Sequence, residues 1–178
     1  MWKVRSLTRR SLLETLNGYL DEPWAEDYDL WFRAWIAGAR FAKTSEVLLD
    51  WYDHPGRASR VQPRYSDASF LACKAHYLRQ TVFADGQDCL LWGAGRVGKR
   101  LGRELETRGV RISRYVDIDP KKIGATRRGV PVVSPDAIQP AKNQVLLAAV
   151  GARGARELIR GHVMKLGFIE GGDFWCAA

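Results

Sequence analysis

Cysteine, histidine and long apolar runs are what this sequence is short of. Its three cysteines, Cys73, Cys89 and Cys176, form no Cys-x-x-Cys pair and leave an odd count. That argues against a disulfide framework and for a reducing compartment, and it makes cysteine-held metal a poor expectation. No apolar run approaches the roughly 18 residues of a membrane span, and the N-terminus lacks the apolar core of a secretory signal, so a cytoplasmic location is expected. Histidine numbers three, and no histidine, serine or lysine constellation for hydride transfer stands out; His162 reads as a surface residue in mid-helix. Internal repeats and low-complexity segments are also missing.

What is present suits a folded chain. With 178 residues and 46% hydrophobic content, it can form one ordinary domain or two small ones. Charge is uneven: residues 88–178 hold 16 Lys or Arg against 9 Asp or Glu, whereas residues 1–87 hold 12 against 11. An anionic ligand such as a dinucleotide fits that excess, and peripheral contact with an acidic membrane face stays open. Nucleic acid is not expected as a partner, because no basic stripe with interleaved stacking aromatics appears. The same excess also fits charges spread over solvated helix faces.

The run Trp24-Ala25-Glu26-Asp27-Tyr28-Asp29-Leu30-Trp31 opens an apolar helical pattern through Leu30, Trp31, Ala34 and Ile36 that stops at Gly38. An extended segment, Val47 to Tyr52, then leads to His54-Pro55-Gly56. A carboxylate at a helix start and a histidine at a strand end can face one cleft, as proton abstraction beside a metal diphosphate requires. Acidic residues in a first turn also stabilise any helix through its dipole, by about 0.3 to 1 kcal/mol each. A histidine before Pro-Gly can equally close a turn.

Residues 5–65 resemble the acceptor-side end of a family-two glycosyltransferase of the GT-A fold. The resemblance is carried by the Gly18-Tyr19 turn, Glu26-Asp27-Tyr28-Asp29-Leu30-Trp31, the Gly38-Ala39-Arg40-Phe41 turn and the setting of His54. It implies Asp27 as the base that deprotonates the sugar acceptor, with Glu26 beside it, and His54 as a ligand of a divalent cation, Mg or Mn. The family's nucleotide-sugar half and its metal-holding Asp-x-Asp motif would precede this region, and the chain starts too late for either. Asp27-Tyr28-Asp29 and Asp117-Ile118-Asp119 match that motif only as strings.

Five of seven tryptophans lie in the first 51 residues. Trp31 and Trp35, at i and i+4, read as one buried helix face, and Trp24 is the acceptor-contact candidate, since sugar faces stack on such rings. Ser66 is placed to cap a connecting helix carrying Phe70, Leu71, Tyr77 and Leu78, which ends before Asp85-Gly86.

Beyond that linker, strands and helices alternate. The short strand Cys89-Leu90-Leu91-Trp92 runs into Gly93-Ala94-Gly95-Arg96-Val97-Gly98 and a helix with Val97, Leu101 and Leu105 inward. In this fingerprint the first glycine makes the tight turn, the second lets a pyrophosphate reach the backbone, and the third packs helix on strand. The strand Ile112 to Val116 ends in Asp117, 19 residues beyond Gly98, where a carboxylate can bond ribose hydroxyls and repel a 2′-phosphate. Further on come the strand Gly129 to Val133, a helix start at Ser134-Pro135 and the strand Val145 to Val150. A second glycine turn, Gly151-Ala152-Arg153-Gly154, then opens a helix through Leu158, Ile159, Val163 and Leu166. The nucleotide-site set is therefore Gly93, Gly95, Arg96, Gly98 and Asp117, with Arg153 as a phosphate contact. The stretch Val116 to Gly124 followed by Gly129-Val130-Pro131-Val132 also resembles the nucleotide-sugar-binding domain of sugar O-acyltransferases and certain NAD- or CoA-binding domains. A degenerate domain kept for assembly is the alternative.

The expectation is an α/β chain: a partial GT-A-like subdomain at 1–62, a connecting helix and linker at 63–86, and a small Rossmann-like parallel-sheet domain at 87–178. By resemblance the parent activity is inverting transfer from a nucleotide-sugar to a sugar acceptor, with this chain inactive alone. The other reading is a binding or assembly module for NAD, CoA or a UDP-sugar without catalysis. An uncovered apolar face in the first part would favour a homo-oligomer.

Overall fold

The computed structural model describes residues 7–47 and 54–177. They form an α/β chain in two compact units, one ending at Cys73 and the other beginning at Lys74. The division falls inside a continuous helix, within the span where the sequence places a linker.

The first unit is helical, with α1 (Arg10–Thr15), α2 (Glu26–Ile36), the single turn α3 (Ala58–Val61), a 3-10 turn (Pro63–Tyr65) and the start of α4 (Asp67–Gln80). α2 begins where the acidic run does, with Glu26, Asp27 and Asp29 in its first turn and no side-chain cap. It ends in paired backbone bonds, Gly38 N–H to Trp35 O and Ala39 N–H to Ala34 O, the closure that stops a helix at a glycine. The expected Trp31 and Trp35 face is displaced. Leu30 and Ala34 are the buried pair, while both tryptophans are half-buried and Ile36 is exposed. One position along a helix rotates the face by about 100°, so the bulkier rings flank the stripe and the smaller residues fill it. Tyr28 packs edge-on against Phe32 and Phe70, joining α2 to α4. Ser66 accepts the Ser69 N–H at 3.2 Å, the cap expected of it. Leu7, Tyr19, Phe41 and Val61 stay exposed. Most of the expected strand Val47 to Tyr52 lies outside the described residues.

The second unit is a six-stranded sheet of β1 (Asp88–Trp92), β2 (Ile112–Val116), β3 (Thr126–Arg127), β4 (Val130–Val133), β5 (Gln144–Ala148) and β6 (Phe174–Cys176). Their order is β3-β4-β2-β1-β5-β6, parallel throughout except for the β3–β4 hairpin. Strands buried on both faces read as continuous apolar runs, and Cys89 to Trp92 and Val145 to Ala148 do so. The helices are α5 (Arg96–Glu106) and α6 (Ala155–Lys165). On α5 the inward set is Gly98, Leu101, Gly102 and Leu105, and Val97, expected inside, is 38% exposed because the glycine takes the contact with the strand. On α6, Ile159 and Val163 face the core and Leu158 faces out. The helix expected after Ser134 is only a 3-10 turn, Pro135–Ala137. Pro140 follows closely, and a proline holds its predecessor extended.

Sequential strands lie to one side of β1 until the chain crosses to β5 on the other. This arrangement, Rossmann-like, puts the switch in strand order between β1 and β5, and ligands of such sheets bind outside the carboxyl ends at that switch.

Candidate functional site

The candidate site is built on the turn from β1 to α5. Trp92 O accepts the Ala149 N–H at 2.8 Å and Val116 O accepts the Gly93 N–H at 2.7 Å, so the ends of β2, β1 and β5 are tied together there. Gly93 has φ +121°, and a Cβ on it would stand 3.0 Å from Ala149 O; a side chain is excluded by conformation and by space. A Cβ on Gly98 would lie 1.8 Å from Gly93 O, so the helix sits directly on the strand end. Gly95 differs, because nothing lies within 4 Å of its built Cβ. It is the N-cap of α5 without any side-chain cap, and the first helical bond is Lys99 N–H to Gly95 O. The N–H groups of Arg96 and Val97 therefore have no partner among the described residues. Free amides at a helix start, next to the open space at Gly95, suit a phosphate group.

Arg96 and Arg153 are exposed at this edge, on the first turn of α5 and in the loop between β5 and α6. Neither guanidinium has an ion-pair or hydrogen-bond partner among the described residues. Many other arginines of this unit do: Arg111 with Asp88, Arg108 with Glu104, Arg128 with Glu106 and Arg160 with Glu170.

Asp117 lies just past β2, 7% exposed. Its Oδ2 accepts the Ala94 N–H at 2.9 Å and its Oδ1 the Asp119 N–H at 3.0 Å. Lys122 Nζ reaches both oxygens, at 3.1 and 3.3 Å. Burial works against the charge, but the Asp119 N–H, the Lys122 ammonium and the Ala94 N–H outweigh it and hold the carboxyl below the usual aspartate range.

In the first unit the acidic cluster divides. Asp29 is wholly buried; it accepts the Trp24 indole N–H at 2.9 Å and the Arg33 Nε–H at 2.7 Å. Arg33 donates onward to Leu16 O and Gly18 O, which fastens the Gly18 turn to α2. Trp24 is therefore 8% exposed, with its N–H engaged, and not the open stacking ring expected. Glu26 accepts the Tyr65 hydroxyl at 2.6 Å. Burial first, and this bond second, push the phenol up to about 12. Asp27 Oδ1 accepts the Tyr28 N–H at 2.8 Å, and its other oxygen has no partner among the described residues.

His54 is exposed in its turn, its carbonyl accepting the Arg57 N–H. Among the described residues no group of three or more His, Cys, Asp or Glu could hold a metal ion. His162 lays its ring edge-on against Trp92 at 5.6 Å, so it is partly a packing residue.

The chain matches no protein-family model and no curated protein.

Three residues that matter at these sites were not singled out for them from sequence: Arg33, Tyr65 and Lys122. Arg33 carried a signal, because it stands four residues after Asp29 on one helix. Tyr65 pairs with Glu26 across 39 residues, a separation no local pattern reports. Lys122 lies five residues beyond Asp117, past a turn whose path only the fold defines.

Proposed function

We propose that the second unit is a nucleotide-binding module that takes a phosphate-bearing ligand of the NAD, coenzyme A or UDP-sugar class at the turn Gly93 to Gly98. The observation that carries this reading is Gly95: open space over its backbone, followed by the uncommitted N–H groups of Arg96 and Val97. Gly93 and Gly98 have no such space, so the three glycines divide the work as the fingerprint requires. Unpaired Arg96 and Arg153 supply positive charge at the same edge. Calorimetric titration of the full chain with NAD, coenzyme A and UDP-sugars tests it. Saturable heat with one of them, lost in Gly95→Val, is expected; no heat at millimolar ligand with the protein folded would refute it.

A second reading concerns the first unit. Asp27 keeps one carboxylate oxygen free at the start of α2 while Glu26 and Asp29 are engaged. That favours Asp27 as the general base of an acceptor-side sugar-transferase region, with Glu26 a buttress bonded to Tyr65. On this reading the donor-binding half is not among these 178 residues, and transfer needs it in addition.

A further inference from the structure

We infer that Asp117 is a positioning residue of the glycine turn and not the ribose ligand, so that the site recognises its ligand by phosphate and is indifferent to the ribose 2′-hydroxyl. The ligand half of this inference rests on the nucleotide reading above; the positioning half does not.

A carboxylate offers two oxygens and about four lone-pair directions. At Asp117 they are taken: Oδ2 by the Ala94 N–H and Lys122, Oδ1 by the Asp119 N–H and Lys122. A ribose diol would have to displace one of these donors. Displacing Ala94 would strand a buried amide, since Ala94 is 2% exposed and a buried N–H must be paired. Displacing Lys122 would remove the cation that balances a carboxylate only 7% exposed. Lys122 is also held from the other side, 3.6 Å from Asp119.

The bond to Ala94 has a direct consequence for the ligand. It fixes the peptide between Gly93 and Ala94, and the amides that follow at Gly95, Arg96 and Val97 are aimed from that peptide. Ala94 itself is committed to Asp117 and cannot bond a phosphate. The carboxylate therefore acts on phosphate binding through the turn, at one remove from the ligand.

The test uses the full chain, isotopically labelled, as wild type, Asp117→Ala and Asp117→Asn. In the wild type the Ala94 amide resonance should follow the titration of a single carboxyl in acid. In Asp117→Asn, whose side-chain oxygen can still accept from Ala94, protection from hydrogen exchange should persist while that titration disappears. In Asp117→Ala, Ala94 exchange should rise roughly tenfold or more, as expected for loss of a charged hydrogen bond. Calorimetry then compares ADP with 2′-deoxy-ADP and UDP with 2′-deoxy-UDP, and the members of each pair should bind within about twofold of each other, well inside the worth of one charged hydrogen bond. Unchanged Ala94 exchange in Asp117→Ala, or a Kd ratio of about tenfold or more in favour of the ribonucleotide, overturns the inference. If no nucleotide binds, the nucleotide reading fails, and Ala94 exchange alone decides the role of Asp117.

Discussion

Gly98 stands so close to Gly93 that a Cβ on the former would lie 1.8 Å from the carbonyl oxygen of the latter. Backbone, unlike the end of a flexible side chain, cannot step aside without moving α5 off β1. Gly98→Ala should therefore destabilise the second unit by at least about 1 to 3 kcal/mol, the usual cost of overpacking. A urea denaturation midpoint equal to wild type would show that the helix yields at no cost.

Gly95→Val should separate binding from folding. Its backbone, φ −84° and ψ −168°, suits any residue, and nothing stands in the way of a side chain. The melting temperature should stay near wild type while nucleotide binding is lost, because the valine occupies the space a phosphate would use. Retained affinity would move the ligand elsewhere.

Asp29 and Asp27, two positions apart, should behave oppositely. Asp29→Ala leaves Trp24 N–H without its acceptor and Arg33, with a side chain only 15% exposed, without its counterion. Removing one partner of a buried pair costs about 3 to 5 kcal/mol. Asp27→Asn, at a half-buried site with one free oxygen, should change stability by no more than about 0.5 kcal/mol. Tryptophan fluorescence during denaturation reads both, and equal effects would contradict the division of the cluster.

Asp117 predicts a pH dependence. Its folded-state pKa is depressed, so its contribution is fully present above the unfolded value, about 4, and is lost as pH falls through that value toward the folded one. Wild-type stability should thus decline relative to Asp117→Asn below about pH 4 and run parallel to it above about pH 5. Parallel curves throughout would mean the carboxylate gains nothing from Ala94, Asp119 and Lys122.

If residues 5–65 are the acceptor-side region of a sugar transferase, this chain by itself should consume no nucleotide-sugar in the presence of Mg or Mn, because the donor-binding half is not among these 178 residues. Donor hydrolysis or transfer above background, abolished by Asp27→Asn, would show a complete transferase site.

Local patterns made much of this molecule legible in advance. Apolar runs of four or five residues leading into glycine turns mark β1 and β5, and the spacing of the three glycines states what each must do. Gly38 and Ser66 read correctly as a helix end and a helix cap because those signals act over three or four residues. The pattern reading failed wherever the partner was distant or the face was contested. Periodicity cannot tell which of two adjacent apolar stripes a helix buries, so Trp31 and Trp35 gave way to Leu30 and Ala34. Nor does a proline at a helix start reveal whether a helix follows, as the short turn after Ser134 shows.

The α/β class, the alternation of the second unit and the place of the glycine turn are all legible in the order of residues, since each depends on covalent geometry and short-range periodicity. What the carboxylates do is set by long-range packing. Glu26, Asp27, Asp29 and Asp117 are chemically near-identical acids, and their roles separate through partners brought from elsewhere: Tyr65 to Glu26, Trp24 and Arg33 to Asp29, Ala94 and Lys122 to Asp117. The physical reason is that a carboxylate's chemistry is set by burial and by which donors surround it, and donors tens of residues away are assembled only when the chain has folded.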